Sequence, residues 1–372
     1  MTGRAVAPAT ATGLAVVVIA LLLLPQVATD FFVQFVMTRV LMLGVVAATI
    51  VFLAKLGGMI SLGQLLSFGI AGFMYGNASL SEGARGLNLG WNPYASIAFA
   101  LAVATVVALL LGALASRTEG IYFLMLTLVY GVIGYFVFSQ IVTISGPGGV
   151  TRIGAPSLFA SPLRLYHAGV VLSALTYLGF KLLGRTNFGL ALQGVRDDPV
   201  RMASLGFNVP LHRTLAFGLG GFVAGLAGLL NVWWNGQIDP ASVNIGPTLD
   251  VLIIAVVGGI SYFEGAWLGA LVFVAANTYL RALPLVDRIG ITEDRFNTLI
   301  GALVLLIMVL NPEGLTGLVD RARRVRRPRP AEPAAAAVAS QPSVQSALPA
   351  QPARTAGTGD SSPANETKGT VL

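Results

Sequence analysis

Apolar residues in this chain come in runs of roughly 20, the length an α-helix needs to cross the hydrocarbon core of a bilayer. Short polar or glycine-rich interruptions separate them. About ten such stretches can be placed, over 11–29, 31–54, 63–80, 93–115, 120–143, 167–183, 212–234, 248–263, 266–283 and 296–311. The third is short and rich in glycine. The eighth and ninth are separated only by a tight turn around Glu264 and Gly265. The pattern predicts an all-α, polytopic membrane protein of about ten transmembrane helices, because spanning segments must satisfy their backbone hydrogen bonds internally. The first stretch follows Arg4 as in a signal peptide. Pro25 and Gln26, not a small-residue cleavage pattern, follow its Leu run, which favours a retained first helix.

Composition strengthens this reading. Of 372 residues, 55% are hydrophobic and 10% charged, against about 25% charged in soluble domains. The mean hydropathy is +0.79. The net charge of +7 does not point to nucleic acid, because the basic residues gather in a few loops and one C-terminal run. Lys55, Arg117, Lys181, Arg185, Arg196, Arg201 and Arg213 follow even-numbered stretches, and so does the run Arg321, Arg323, Arg324, Arg326, Arg327 and Arg329. The opposite loops are poor in basic residues or balanced by Asp and Glu. The positive-inside rule then places both termini in the cytoplasm, with an even number of helices. From about residue 328 the chain turns rich in Ala, Pro, Ser, Thr and Gln and loses its apolar runs. The division expected is a transmembrane domain over 1–320 and a basic, then disordered, cytoplasmic tail over 321–372.

Catalytic patterns are missing. No Gly-Lys-Ser/Thr phosphate loop, His-Glu-x-x-His or Gly-x-Ser-x-Gly occurs, and there is no cysteine. His167 and His212 are too few for a metal cluster, so no metal site and no cofactor are expected on this chain. Asp197 and Asp198 are adjacent and lie in a basic loop, which does not make an acid–base pair. Charged residues within the spans are few, Arg39 in the second being the clearest. That argues against an ion-coupled secondary transporter. Arg39 is expected to reach an interface or to pair with a carboxylate on another helix.

The loop over 185–210 is long and patterned. Asp198 can cap a short helix whose first turn holds Pro199. Val200, Ala203 and Ser204 then share one face, and Gly206 with Asn208 can end it. So short a helix needs a partner surface. Elsewhere, Gly57-Gly58 and Gly258-Gly259 each break an apolar run shortly before a Ser, and broken helices free backbone groups beside a solute pathway. Ser61, Gly63 and Gln64 are the pathway candidates there. Gly148 and Gly149, in the Ser145-to-Pro156 loop, present bare N–H groups that could meet a carboxylate or could form a plain turn. Gly221, Gly225 and Gly228, at spacings of four and three, allow close helix approach. Trp91, Trp233 and Trp234 read as interfacial belt residues.

Several of these strings, in order, resemble ABC importer permeases, more closely the branched-chain amino acid permease family (the LivM/LivH type). They are Ile60-Ser-Leu-Gly-Gln64, Gly189-Leu-Ala-Leu-Gln-Gly-Val-Arg-Asp-Asp198, Ala203-Ser-Leu-Gly-Phe-Asn208, Ala216 to Gly228, Val257-Gly-Gly-Ile260, Glu264-Gly-Ala-Trp-Leu-Gly269 and Asn311-Pro-Glu-Gly-Leu315. The resemblance covers roughly residues 40 to 318. It implies a non-enzymatic transport subunit in a bacterial inner or plasma membrane. ATP and Mg would be bound by separate ATPase subunits docked on the 185–210 coupling loop through Arg196, Asp197, Asp198, Ala203 and Gly206. It further implies a second permease subunit and an extracytoplasmic substrate-binding protein. Branched-chain amino acids are the leading substrate, with urea, short amides or sugars as alternatives. The loop's Arg-Asp-Asp-Pro departs from the commonest family pattern.

Overall fold

The computed structural model describes residues 8–80, 87–145, 148–281, 301 and 314–317. The chain divides into two units, Met1–Val325 and Arg326–Leu372. The second unit, the basic run from Arg321 and, save residue 301, the expected span 296–311 lie outside the described residues.

Among the described residues the regular structure of the first unit is helical, save one two-residue ladder pairing β1 (Val150–Thr151) with β2 (Gln237–Ile238). Its helices are α1 (Pro8–Leu23), α2 (Thr38–Gly57, continuing a π-helical turn over Phe32–Met37), α3 (Gln64–Ser79), α4 (Pro93–Ala115), α5 (Gly120–Gln140) and α6 (Pro162–Leu183). Then come α7 (Asn187–Asp197), α8 (Pro199–Ser204), α9 (Val209–Asn235), α10 (Ile245–Gly258) and α11 (Phe263–Arg281). Among the described residues five helices are long and apolar enough to cross a membrane: Phe32–Gly57, α4, α5, α6 and α9. α1 packs on α6, where Tyr166 donates its hydroxyl to the carbonyl of Leu21. The stretches 248–263 and 266–283 become a pair, α10 and α11, bent through 118° at a short break over Gly259–Tyr262. Glu264 lies beyond that break, in the first turn of α11.

α2 is the central post. Its apolar window is 83% buried, against 22% for α4, which turns Leu110, Leu114 and Val106 outward. α6, α9, α10 and α11 pack around α2, and Phe52 stacks on Phe180 with ring centroids 4.4 Å apart. A second group joins α3, α4 and α9. There the expected glycine stripe operates. Gly225 faces Ala71 and Ala104, and Gly228 lies against the backbone of Phe68. With little hydrophobic drive between helices in lipid, such close contact is what holds them. α10 and α11 meet in the same way, Gly265 and Gly269 lying against the backbone of Gly258 and Ile254.

Candidate functional site

The 185–210 loop holds two helices where one was expected. Thr186 caps α7 by accepting from Gly189 N, and Leu192 and Val195 bury one face against the end of α2. Asp198 ends α7 and caps α8, accepting from Arg201 N at 2.9 Å. Gly206 follows with φ +89, but Asn208 caps α9 through Leu211 N and so begins the next helix instead of ending α8. α8 buries none of its residues, and Val200, Leu205 and Phe207 stand exposed beside it. Arg196 pairs with Asp197, donates to the carbonyl of Lys55, and lays its aliphatic stem over Gly58, the left-handed cap of α2. Lys55 in turn places its ammonium 4.5 Å from the centre of the Phe263 ring. Beside it, Tyr177 of α6 donates to Glu264, and Lys181 lies 3.6 Å from the same carboxylate. One polar network therefore joins α7, α2, the α10–α11 break and α6. At the same end of the bundle Arg213, 8% exposed, pairs with Glu119 at 2.8 Å.

The second candidate lies deeper. α2 ends at Gly57, and α3 does not begin until Gln64. Gln64 meets α9 at Gly220, eleven residues past Val209. At 1.5 Å per residue that is about 16 Å into a helix of about 40 Å. Six residues of non-helical chain can span that depth, so α3 starts well inside the bundle. Ser61, Gln64 and Thr127 are fully buried there. Thr127 Oγ1 accepts from Leu62 N at 3.1 Å, and Ser61 Oγ from Gly63 N at 3.2 Å. No side chain caps α3. Among the described residues neither Nε2 nor Oε1 of Gln64 has a hydrogen-bond partner.

Gly148 and Gly149 are not brought to this place. Gly149, at φ +68, tucks under the carbonyl of Ile238, and the neighbouring Val150 reaches Gly76, twelve residues further along α3. That is about 18 Å from Gln64. The glycines here let the β1–β2 ladder close.

The sequence profile of the family described as "Branched-chain amino acid transport system / permease component" matches residues 32–310. The chain belongs to that permease family. Relatives include the LivM permease of the Escherichia coli high-affinity branched-chain amino acid transport system, 24% identical over 57% of this chain and 55% of LivM. A probable branched-chain amino acid permease, LivH of Methanocaldococcus jannaschii, is 26% identical over 60% of this chain and 75% of its own length. LsrC, the permease of the Escherichia coli autoinducer 2 import system, is 27% identical over 57% and 64%. The permease thus matches little more than half the length of LivM. No solved structure matches it.

Sequence reasoning missed several residues of this permease. Phe188, Ala191, Leu192 and Val195 carry the helical spacing of α7 and could have revealed it. Arg213 gave no signal, since its burial depends on the α4–α5 turn folding over it. Arg39 has an electrostatic neighbour of the expected kind in Asp250 on α10. Trp233 stacks on Phe159 and meets Tyr75 edge-on.

Proposed function

We propose that this chain is a permease subunit of an ATP-driven importer that carries branched-chain amino acids inward. The observation that carries the reading is the α7–α8 loop. α8 is too short to stand alone and presents an apolar face to the outside, while its neighbour α7 is locked onto α2 through Arg196. Such an element suits a partner that pushes on it. In this reading the partner is a pair of ATPase subunits binding ATP and Mg, which meet Arg196, Asp197, Asp198, Ala203 and Gly206. A second permease subunit and an extracytoplasmic substrate-binding protein complete the importer. The end of the bundle holding Lys55, Arg117, Lys181, Arg196 and Arg213 is the cytoplasmic one by the positive-inside rule, with both termini on that side. The low number of charges in the spans suits a neutral or zwitterionic solute.

A different solute, such as a sugar, urea or short amide, is the second reading; the likeness to LsrC, an autoinducer 2 permease 27% identical against 24% for LivM, supports a solute other than an amino acid. Uptake of labelled leucine decides between them, measured with and without the gene and before and after ATP depletion, with labelled urea and ribose alongside. Loss of ATP-dependent leucine uptake on deletion supports the reading. Unchanged leucine uptake with lost urea or ribose uptake sinks the substrate and keeps the importer.

A further inference from the structure

We propose that the N-terminal turn of α3, with the Gln64 amide, is a binding site for the carboxylate of a zwitterionic solute. The proposal rests on the importer reading and adds to it a place and a chemistry. Two independent observations meet there. The first is a 16-residue helix whose N-terminus is buried, lies well inside the bundle and has no side-chain cap. The first N–H groups of a helix have no partner within it, and its N-terminus carries about half a positive charge. The second is Gln64 itself, fully buried with both polar atoms unpartnered. A side chain at the first position of a helix leans back over that N-terminus, so the amide shares the space in front of it. Buried polar groups are nearly always satisfied, and one left without partners calls for an explanation.

The available atoms select the ligand. Backbone N–H groups and Nε2 are donors beside a partial positive charge, which is the complement of a carboxylate. Oε1 is an acceptor, which an α-ammonium group can meet. A zwitterion engages both, whereas a sugar or urea makes no use of the charge. Glycine backbones pack close at this place. Gly220 stands 3.1 Å from Oε1 at its would-be Cβ, and Gly63 faces the Phe217 ring. Every one of these residues is closed off in the present conformation, so the site opens when α9 and α5 move away from α3, as a transport cycle demands.

The test uses cells carrying the whole importer, with the permease as wild type, Gln64→Asn or Gln64→Leu. Labelled L-leucine uptake is measured together with the thermal stability of each purified permease. The site predicts that Gln64→Leu lowers uptake about ten-fold or more, the loss expected for one hydrogen bond to a charged group. The melting temperature should hold or rise, because two unpaired polar atoms are gone. Gln64→Asn should keep part of the uptake. If Gln64→Leu imports leucine at the wild-type rate, the site is wrong while the importer reading stands. If uptake and melting temperature fall together in both variants, Gln64 is structural and the site is wrong. If the wild type imports urea or ribose and no leucine, the substrate reading fails and takes the carboxylate site with it.

Discussion

Gly228→Ala should destabilise the permease, and Gly225→Ala, one turn earlier on the same helix, should not. A methyl carbon at Gly228 would lie 2.1 Å from the carbonyl oxygen of Phe68 and 2.8 Å from its carbon. Comfortable C···O contact needs about 3.3 Å, so α9 and α3 must part by about 1 Å. The obstacle is backbone and has no rotamer into which it can retreat. Overpacking of this kind costs about 1–3 kcal/mol, and the upper half of that range applies here. Replacing Gly by Ala in a helix returns at most about 1 kcal/mol, which leaves a net loss of about 1–2 kcal/mol. At Gly225 the methyl would meet Ala71 Cβ at 3.4 Å and Ala104 Cβ at 3.6 Å, ordinary contact. Gly179 on α6 has nothing within 4 Å and serves as a second control. The assay is thermal unfolding of the purified protein in one detergent, followed by tryptophan fluorescence. The expected order is Gly179→Ala at or above wild type, Gly225→Ala near it and Gly228→Ala clearly below. Equal melting of Gly225→Ala and Gly228→Ala would refute the view that backbone approach of α3 and α9 holds this region together.

Three further outcomes follow from single contacts. Asp198→Ala removes the cap of α8, worth about 1 kcal/mol, in a helix of six residues. Amide exchange over Arg201–Ser204 should then quicken with no change in global melting, and ATPase co-purification should drop. Glu119→Gln weakens the pair to buried Arg213, but the Glu119 side chain is 62% exposed, so melting should reveal a loss of only about 1 kcal/mol. The swapped double variant Arg213→Glu with Glu119→Arg should lose more, because it buries a carboxylate in place of the guanidinium. Arg39→Leu leaves the Asp250 carboxylate without the cation that acts on it. The yield of folded protein in membranes should fall, and Asp250→Asn in the same background should restore part of it.

How much of this was legible in the sequence depends on what lipid makes visible. Five of the ten expected spans were, among the described residues, because a bilayer rewards long apolar runs regardless of tertiary context. The central helix was not, for the same reason. α4 is a more hydrophobic run than Phe32–Gly57, yet it is the less buried. Hydropathy is nearly blind to whether an apolar side chain meets lipid or protein. The informative signal is size. α4 buries Ala100, Ala104, Ala108, Gly112 and Ala115, small residues three or four apart, which face α9 and α3. Gly265 and Gly269 carry the same spacing and mark the contact of α11 with α10. Asp198-Pro199 announced α8 because caps are local chemistry. Glu264 with Tyr177, and Arg196 with Lys55, join residues 87 and 141 positions apart, and no local rule reaches that far. Gln64 stood out only as part of a broken helix. That it has no partners is a property of the packed state.

The two candidate regions are closer along the chain than their depths suggest. Gly58 is the left-handed cap of α2, at φ +66, and the Arg196 stem lies against it. Six residues later the chain enters α3 at Gln64, with no helix between. A displacement of α7 therefore bears directly on Gly58 and reaches the first turn of α3 through one short non-helical segment. It need not pass through the packed bundle. Gly58→Ala tests this link. A non-glycine residue in the left-handed region costs roughly 1–2 kcal/mol, and the new methyl would meet Arg196 Cγ at 2.5 Å. The Arg196 side chain must then move off, which loosens α7 from α2. With both regions otherwise intact, the variant should still bind ATPase subunits and hydrolyse ATP, but move less solute per ATP. If the ratio of solute moved to ATP hydrolysed stays at the wild-type value, motion of the loop reaches α3 by another route.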